Sequence, residues 1–207
     1  MEKMMHSYII SGDGDAARSR AREMAAAALC ESSGAKPCRA CRHCRKVFQG
    51  AFPGIHPDVA LVERAADKSG KLRREITVDQ IRALALDAAV LPNEADGKVY
   101  IFPEADTMNI AAQNAFLKLL EEPPPNWMFI LVASRLERLL PTILSRVIQL
   151  RFDQIPLALT QEALNRLGLE RPELLARLAG GSLGAAVNLA AADAVSYRDQ
   201  ALEFLEA

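Results

Sequence analysis

Several things are scarce in this chain, and each absence narrows what it can do. Aromatic residues make up only 5% of the 207 residues. That supplies few platforms on which single-stranded bases could stack. No sign of charge dominates: 25 Lys and Arg face 26 Asp and Glu, for a formal net charge of −1. A polyanion partner spread over the whole surface is therefore not expected, and any DNA contact must come from a local patch or from partner chains. Long apolar runs are missing too. The longest, Met128 to Ala133, is far too short to span a bilayer. The opening residues, Met1 to Asp15, show no apolar core of signal-peptide length. These absences predict a soluble, cytoplasmic chain with no membrane partner. No internal repeat is found.

Cysteine is also rare, but its four copies, Cys30, Cys38, Cys41 and Cys44, fall within fifteen residues. In a reducing compartment such a cluster points to metal rather than to disulfides. Two C-x2-C steps bring thiolates to one tetrahedral centre, and Cys30, at the end of a helical stretch, supplies the fourth. Four thiolates suit structural Zn2+ with no open position for water. His43 lies inside the knuckle and is a competing ligand, although four cysteines already complete the shell. Lys36, Arg39, Arg42, Arg45 and Lys46 surround the cluster. They read as a solvated basic face that steadies thiolates in preference to a nucleic-acid surface.

Five short apolar runs predict buried strands: 8–10, 58–62, 98–102, 128–133 and 148–152. Continuous rather than alternating hydrophobicity suggests burial on both faces, as in a parallel sheet. Helical segments separate them. The stretch 16–29 is rich in Ala and Arg. The stretch 78–88 follows Thr77, a candidate N-cap, with Gln80 placed as in a capping box. The stretch 109–122 is stopped by Pro123, Pro124 and Pro125. This alternation predicts a doubly wound α/β domain. Beyond residue 155 the texture changes to short helical segments at 159–167, 172–179 and 184–192. The last segment, 195–207, reads as helix without a stop signal, which suggests that the natural protein continues. The expected division is an α/β core over 1–155, carrying a zinc module at 30–46, and a helical lid over 156–207.

Two places carry the outline of nucleotide chemistry and lack its substance. After the first strand, Gly12 fits the first glycine of a phosphate loop, G-x-x-x-x-G-K-[ST]. Ala17 stands at the second glycine, Arg18 at the lysine and Ser19 at the hydroxyl. Arginine's planar fork is no substitute for a compact ammonium, and Asp13 and Asp15 oppose phosphate. The same turn also spells a weak dinucleotide fingerprint, but the cysteine cluster arrives where a second strand ending in an acidic residue is required. After the third strand, Pro103 occupies the position of a Mg2+-binding aspartate, while Glu104 remains beside it. Arg146, just ahead of the last strand, sits at the rim of the sheet. From spacing alone it reads as a surface salt bridge.

Together these residues resemble the bacterial clamp-loader family of AAA+ proteins, most closely its delta-prime subunit. The resemblance runs over essentially the whole chain. His6 to Gly12, the zinc cysteines, His56 to Asp58 and Ile76 to Arg82 match family signatures. Asn114 to Pro124 is the most specific match. Leu144, Ser145 and Arg146 match the motif that carries a trans-acting arginine finger, with Val147 replacing its cysteine. Gly181 to Gly184 matches the lid's sensor segment, with Gly184 where ATPase members carry an arginine. The resemblance implies an AAA+ P-loop-type parallel sheet flanked by helices, an inserted zinc module and an all-helical lid. It further implies a non-catalytic subunit of the DNA polymerase III clamp loader. Such a subunit binds Zn2+ but no ATP and offers Arg146 to a neighbour's active site. Its implied partners are the other subunits of a hetero-pentamer and, through the complex, the sliding clamp and primed DNA. The collar domain of the family is absent from the 207 residues. The enzyme alternative is an ATP-hydrolysing gamma/tau-type subunit, which a lysine at 18 and an aspartate at 103 would have favoured. A third reading, a zinc-knuckle nucleic-acid binder, predicts salt-sensitive DNA binding by the isolated chain.

Overall fold

A computed structural model describes residues 6–12, 14–67, 69–152 and 156–191. The chain divides into two compact units, 1–151 and 152–207. The boundary expected after residue 155 falls beside 153–155, and the helix expected over 195–207 likewise lies outside the described residues. Among the described residues, no helix is long and apolar enough to cross a membrane.

The first unit is built on five strands. They are β1 (Ser7–Gly12), β2 (Val59–Leu61), β3 (Lys98–Phe102), β4 (Trp127–Ala133) and β5 (Ile148–Phe152), in the order β2-β3-β4-β1-β5. The pairs β1–β4, β3–β4 and β2–β3 are parallel, with Ile9 opposite Leu131 and Tyr100 opposite Phe129. The central strands β3 and β4 are buried along their whole length, as continuous apolar runs predict. The strands at the two edges depart from that expectation. In β5, Gln149 and Arg151 are exposed while Ile148 and Leu150 are half-buried. Successive side chains of a strand point to opposite faces, so Gln149 and Arg151 share one face, and at this edge of the sheet that face is open to water.

Helices cover both faces. On one side lies α1 (Gly14–Ala28), whose Ala17, Ala21 and Ala25 recur every four residues and are fully buried. Small side chains at this spacing put the helix backbone close to β4 and β1. On the other side pack α3 (Val78–Ala88) and α4 (Ile110–Glu121). Here Ile81, Leu84, Phe116 and Leu120 meet Tyr100, Phe102, Phe129 and Leu131. The aromatic rings interlock, Phe116 edge-on to Phe129 at 5.2 Å and Phe102 tilted against Phe116 at 4.9 Å. Helix ends follow the sequence signals. Gln80 Oε1 accepts from the Thr77 N–H at 3.2 Å, and Asn109 Oδ1 accepts from the Ala112 N–H at 2.9 Å.

Two short helices had no signature in the sequence pattern: α2 (Arg42–Phe48), inside the cysteine segment, and α5 (Pro141–Leu144), before β5. The second unit holds α6 (Leu157–Arg166), α7 (Pro172–Leu178) and α8 (Leu183–Ala191). Leu164, Leu175, Ala176 and Ala186 form its small core, and Thr160 donates from Oγ1 to the Gly181 carbonyl at 2.8 Å.

Candidate functional sites at the two ends of the sheet

Helix α1 starts at the turn after β1 and ends at the cysteine cluster, so it carries the chain from one end of the sheet to the other. At the far end the four thiols converge: the Sγ atoms of Cys30, Cys38, Cys41 and Cys44 all lie within 4.8 Å of one another. Cys38 Sγ and Cys44 Sγ are 4.0 Å apart. A tetrahedron with Zn–S bonds of about 2.3 Å has edges of about 3.8 Å, so the donor set fits that ion with small adjustments. The knuckle shapes itself through its own backbone. Cys38 Sγ accepts from the Cys41 N–H at 3.3 Å, and Cys41 Sγ accepts from the Cys44 N–H at 3.4 Å, which caps α2. The N–H groups of Cys41 and Ala40 hold the Cys38 thiol down to about 6, whereas burial pushes Cys44 up to about 12.

His43 does not join the thiols. It is buried and turned the other way, with Nδ1 2.7 Å from His56 Nε2 and Nε2 3.1 Å from Glu31 Oε1. The Asp58 N–H donates to His56 Nδ1 at 3.0 Å, so Nε2 of His56 carries the proton and donates to His43. Burial, reinforced by the adjoining His43, holds His56 below the usual histidine range. Asp58 continues the chain of contacts into the loop before β3. Its carboxylate accepts from the N–H groups of Asn93 (2.5 Å), Glu94 (2.8 Å) and Ala95 (2.9 Å). Desolvation of this buried acid is outweighed by those donors, and its pKa falls to about 2. The histidine pair went unforeseen because thirteen residues of sequence separation carry no geometric signal. The histidine-proline-aspartate segment was its one visible mark.

Four of the five basic residues around the cysteines are engaged within the chain. Lys36 Nζ donates to the Cys30 carbonyl, Arg39 pairs with Glu23, Arg42 with Glu31 and Lys46 with Glu94. Arg22 of α1 donates to the carbonyls of Val47 and Gly50 at 2.6 and 2.9 Å. Gly54 closes against the module at φ 112°, where an added Cβ would lie 2.2 Å from the Val47 carbonyl oxygen.

At the opposite end, β1 closes at Gly12. Gly12 has φ 128°, and α1 already begins at Gly14. Ala17 therefore sits within the helix, fully buried, while Arg18 and Ser19 are exposed on its outer side. In a phosphate loop the residues between the two glycines wrap their N–H groups around the phosphate. Here residues 14–17 are helical. After β3, Pro103 is buried, and Glu104 is paired with Arg64, Nε to Oε2, at 2.8 Å. Arg146, two residues after α5, is 37% exposed. Its Nη2 meets Glu121 Oε1 at 2.8 Å, and its Nη1 donates to the Thr142 carbonyl at 3.0 Å and to Ser145 Oγ at 3.3 Å. The salt bridge expected from spacing is present, and Glu121 is a partner that the sequence did not name.

Comparison with known proteins bears on what this arrangement is. A family model described as DNA polymerase III, delta subunit, matches residues 1–156. The DNA polymerase III subunit delta' of Bacillus subtilis is 32% identical over 158 residues, covering 74% of this chain and 44% of the relative. That of Pseudomonas aeruginosa is 35% identical over 183 residues, covering 86% and 53%. The chain belongs to the delta-prime family of DNA polymerase III clamp-loader subunits.

The wider clamp-loader family is close by. The DNA polymerase III subunit tau of Bacillus subtilis is 30% identical over 208 residues, covering 98% of this chain and 34% of its own length. A crystal structure of a DNA polymerase III gamma subunit-related protein from Thermotoga maritima matches with 26% identity and TM-score 0.51, covering 91% of this chain and 54% of that one. The RuvB Holliday junction branch migration motor of Thermotoga maritima shares the fold at 14% identity and TM-score 0.54, covering 90% of this chain and 53% of that one. The first unit is thus an AAA+ sheet with helices on both faces. This chain spans about a third to a half of the length of the curated relatives it matches.

Proposed function

We propose that this chain is the AAA+ part of a delta-prime-type subunit that uses no ATP itself and completes the active site of an adjoining clamp-loader ATPase. The observation that carries the reading is the contrast between Arg146 and the phosphate turn. The arginine is kept, half-exposed at the sheet rim, while the loop that should hold nucleotide is helical from Gly14 and lacks its lysine. Pro103 removes the metal-binding carboxylate, and Arg64 occupies Glu104. In this reading Arg146 reaches the γ-phosphate of the neighbour, where an arginine supplied in trans speeds phosphoryl transfer by about 10^3 to 10^5. The cysteines hold one structural zinc per chain, residues 30–46 form the zinc module, and 156–207 form a helical lid. A collar domain beyond the lid supports the hetero-pentamer, and the complex carries the sliding clamp to primed DNA in the cytoplasm.

The gamma/tau-type alternative draws on the tau relatives, which match nearly the whole chain. An equilibrium ATP titration on the isolated chain separates the two, since a gamma/tau-type subunit binds ATP through its own loop and the delta-prime reading expects weak or no binding. The finger is tested in the full-length protein reconstituted with its partner subunits. Arg146→Ala should lower ATP turnover by up to about 10^3 per assembled complex. The melting temperature of the chain should hardly move, because an exposed ion pair contributes under about 1 kcal/mol. Arg146→Lys should rescue poorly, as an ammonium lacks the fork. A lowered melting temperature with normal turnover would mean that Arg146 only braces α5.

A further inference from the structure

Resting on the finger reading of Arg146, we propose that Glu121 is its positioning residue. The carboxylate that closes α4 sets the plane and direction of the guanidinium before an adjoining chain presents its phosphate. Glu121 is well placed for this. It is the last residue of α4, and Glu122 caps that helix on its way into Pro123 and Pro124. The chain cannot continue as helix there, so α4 ends at the half-exposed Glu121. The helix itself is anchored by buried Phe116 and Leu120 and by Gln113. The Gln113 amide donates to the carbonyls of Met108 and Arg138 and accepts from the Leu140 N–H at 2.7 Å. The last of these contacts ties α4 to the residue that caps α5. Arg146 is therefore gripped from two elements whose separation is fixed: Thr142 and Ser145 from the α5 side, Glu121 from α4.

The geometry of the grip matters for function. A free arginine loses rotamer entropy when it is ordered. Ordering it beforehand removes that cost from the encounter with phosphate. Among the described residues, its partners are the Thr142 carbonyl, Ser145 Oγ and Glu121 Oε1. A guanidinium has five N–H donors, so donors remain for a phosphate while these contacts persist. A carboxylate gives the strong, directional, charge-assisted form of this contact. It cannot be replaced by a shorter side chain without moving the fork.

The test uses the full-length protein reconstituted with its partner subunits, with ATP turnover measured per assembled complex. Glu121→Ala is expected to lower kcat by about 10- to 100-fold, the scale on which an ångström of misplacement acts, with KM for ATP nearly unchanged. Glu121→Gln keeps an oxygen acceptor at the same reach and should recover most of the loss. The double variant with Arg146→Ala should be no slower than Arg146→Ala alone, because Glu121 acts only through that side chain. Wild-type turnover in Glu121→Ala overturns the proposal, and so does faster turnover, since a carboxylate that restrains the finger is not positioning it. A double variant slowed by the full product of the two single effects also overturns it. Normal turnover in Arg146→Ala instead overturns the finger reading itself, and the two failures are told apart by which variant stays active.

Discussion

The two ends of α1 present opposite outcomes for a short motif. At its C-terminal end, four cysteines and an unforeseen pairing of His43 with His56 make a tightly cross-braced module. At its N-terminal end, a stretch of phosphate-binding outline is helical from Gly14 onward. The contrast follows from what each chemistry requires. A thiolate metal site needs only donor atoms at one point, so the residue types and their spacing nearly suffice. A phosphate loop needs a particular backbone path, a compact cation and a metal-binding carboxylate on another strand. Each of those has been altered separately here, at Ala17, Arg18 and Pro103.

The sharpest way to break this comparison is at the cysteines. Cys44→Ser should take metal content from about one zinc per chain to well below half, because Cys44 is the most deeply buried of the thiols. Limited proteolysis should then cut within 30–56 while the sheet stays protected, since Phe102, Phe116 and Phe129 pack without help from the module. Protein purified without chelator that carries no zinc and has four free thiols would sink the zinc assignment.

A smaller effect lies at Asp58, which joins the module to the loop before β3. Asp58→Asn places an amide against three N–H donors and should cost about 2–3 kcal/mol in denaturant unfolding. The pH dependence has a defined sign. The folded pKa, about 2, lies below the unfolded value, so the stabilisation is present above about pH 4 and lost as pH falls towards 2. The variant should unfold at lower denaturant at neutral pH and show a flatter pH dependence between 4 and 2. An unchanged slope would mean that Asp58 is not the group responsible.

The smallest expected effect is at the other end of α1. Arg18→Lys should leave the isolated chain without ATP turnover, because residues 14–17 are helical and Pro103 still lacks a carboxylate. Tight ATP binding by this variant in an equilibrium titration would show that the lysine alone had been missing, and the contrast between the two ends would then disappear.

Much of the fold was legible because hydrophobic burial is written in short-range pattern. Strand β3, helix α3 and the stop of α4 at its prolines coincide with the expected segments. Strand β5 also falls where expected, over 148–152, but its expected burial on both faces does not hold, because which face of an edge strand is covered is decided by tertiary packing rather than by local composition. Helix α2 escaped notice because its cap is a cysteine sulfur and its seven residues are too few for periodicity to speak. The sequence by itself determined which chemistries were possible: four thiols for a metal, no lysine for phosphate, one arginine ahead of the last strand. Only the tertiary structure decided the partners. It turned His43 away from the thiols to His56, closed Arg64 onto Glu104 and set Glu121 against Arg146. Residue identity fixes what a side chain can donate or accept. Which group meets it depends on contacts across 13, 40 and 25 positions of chain, distances over which only packing of the folded core brings atoms together.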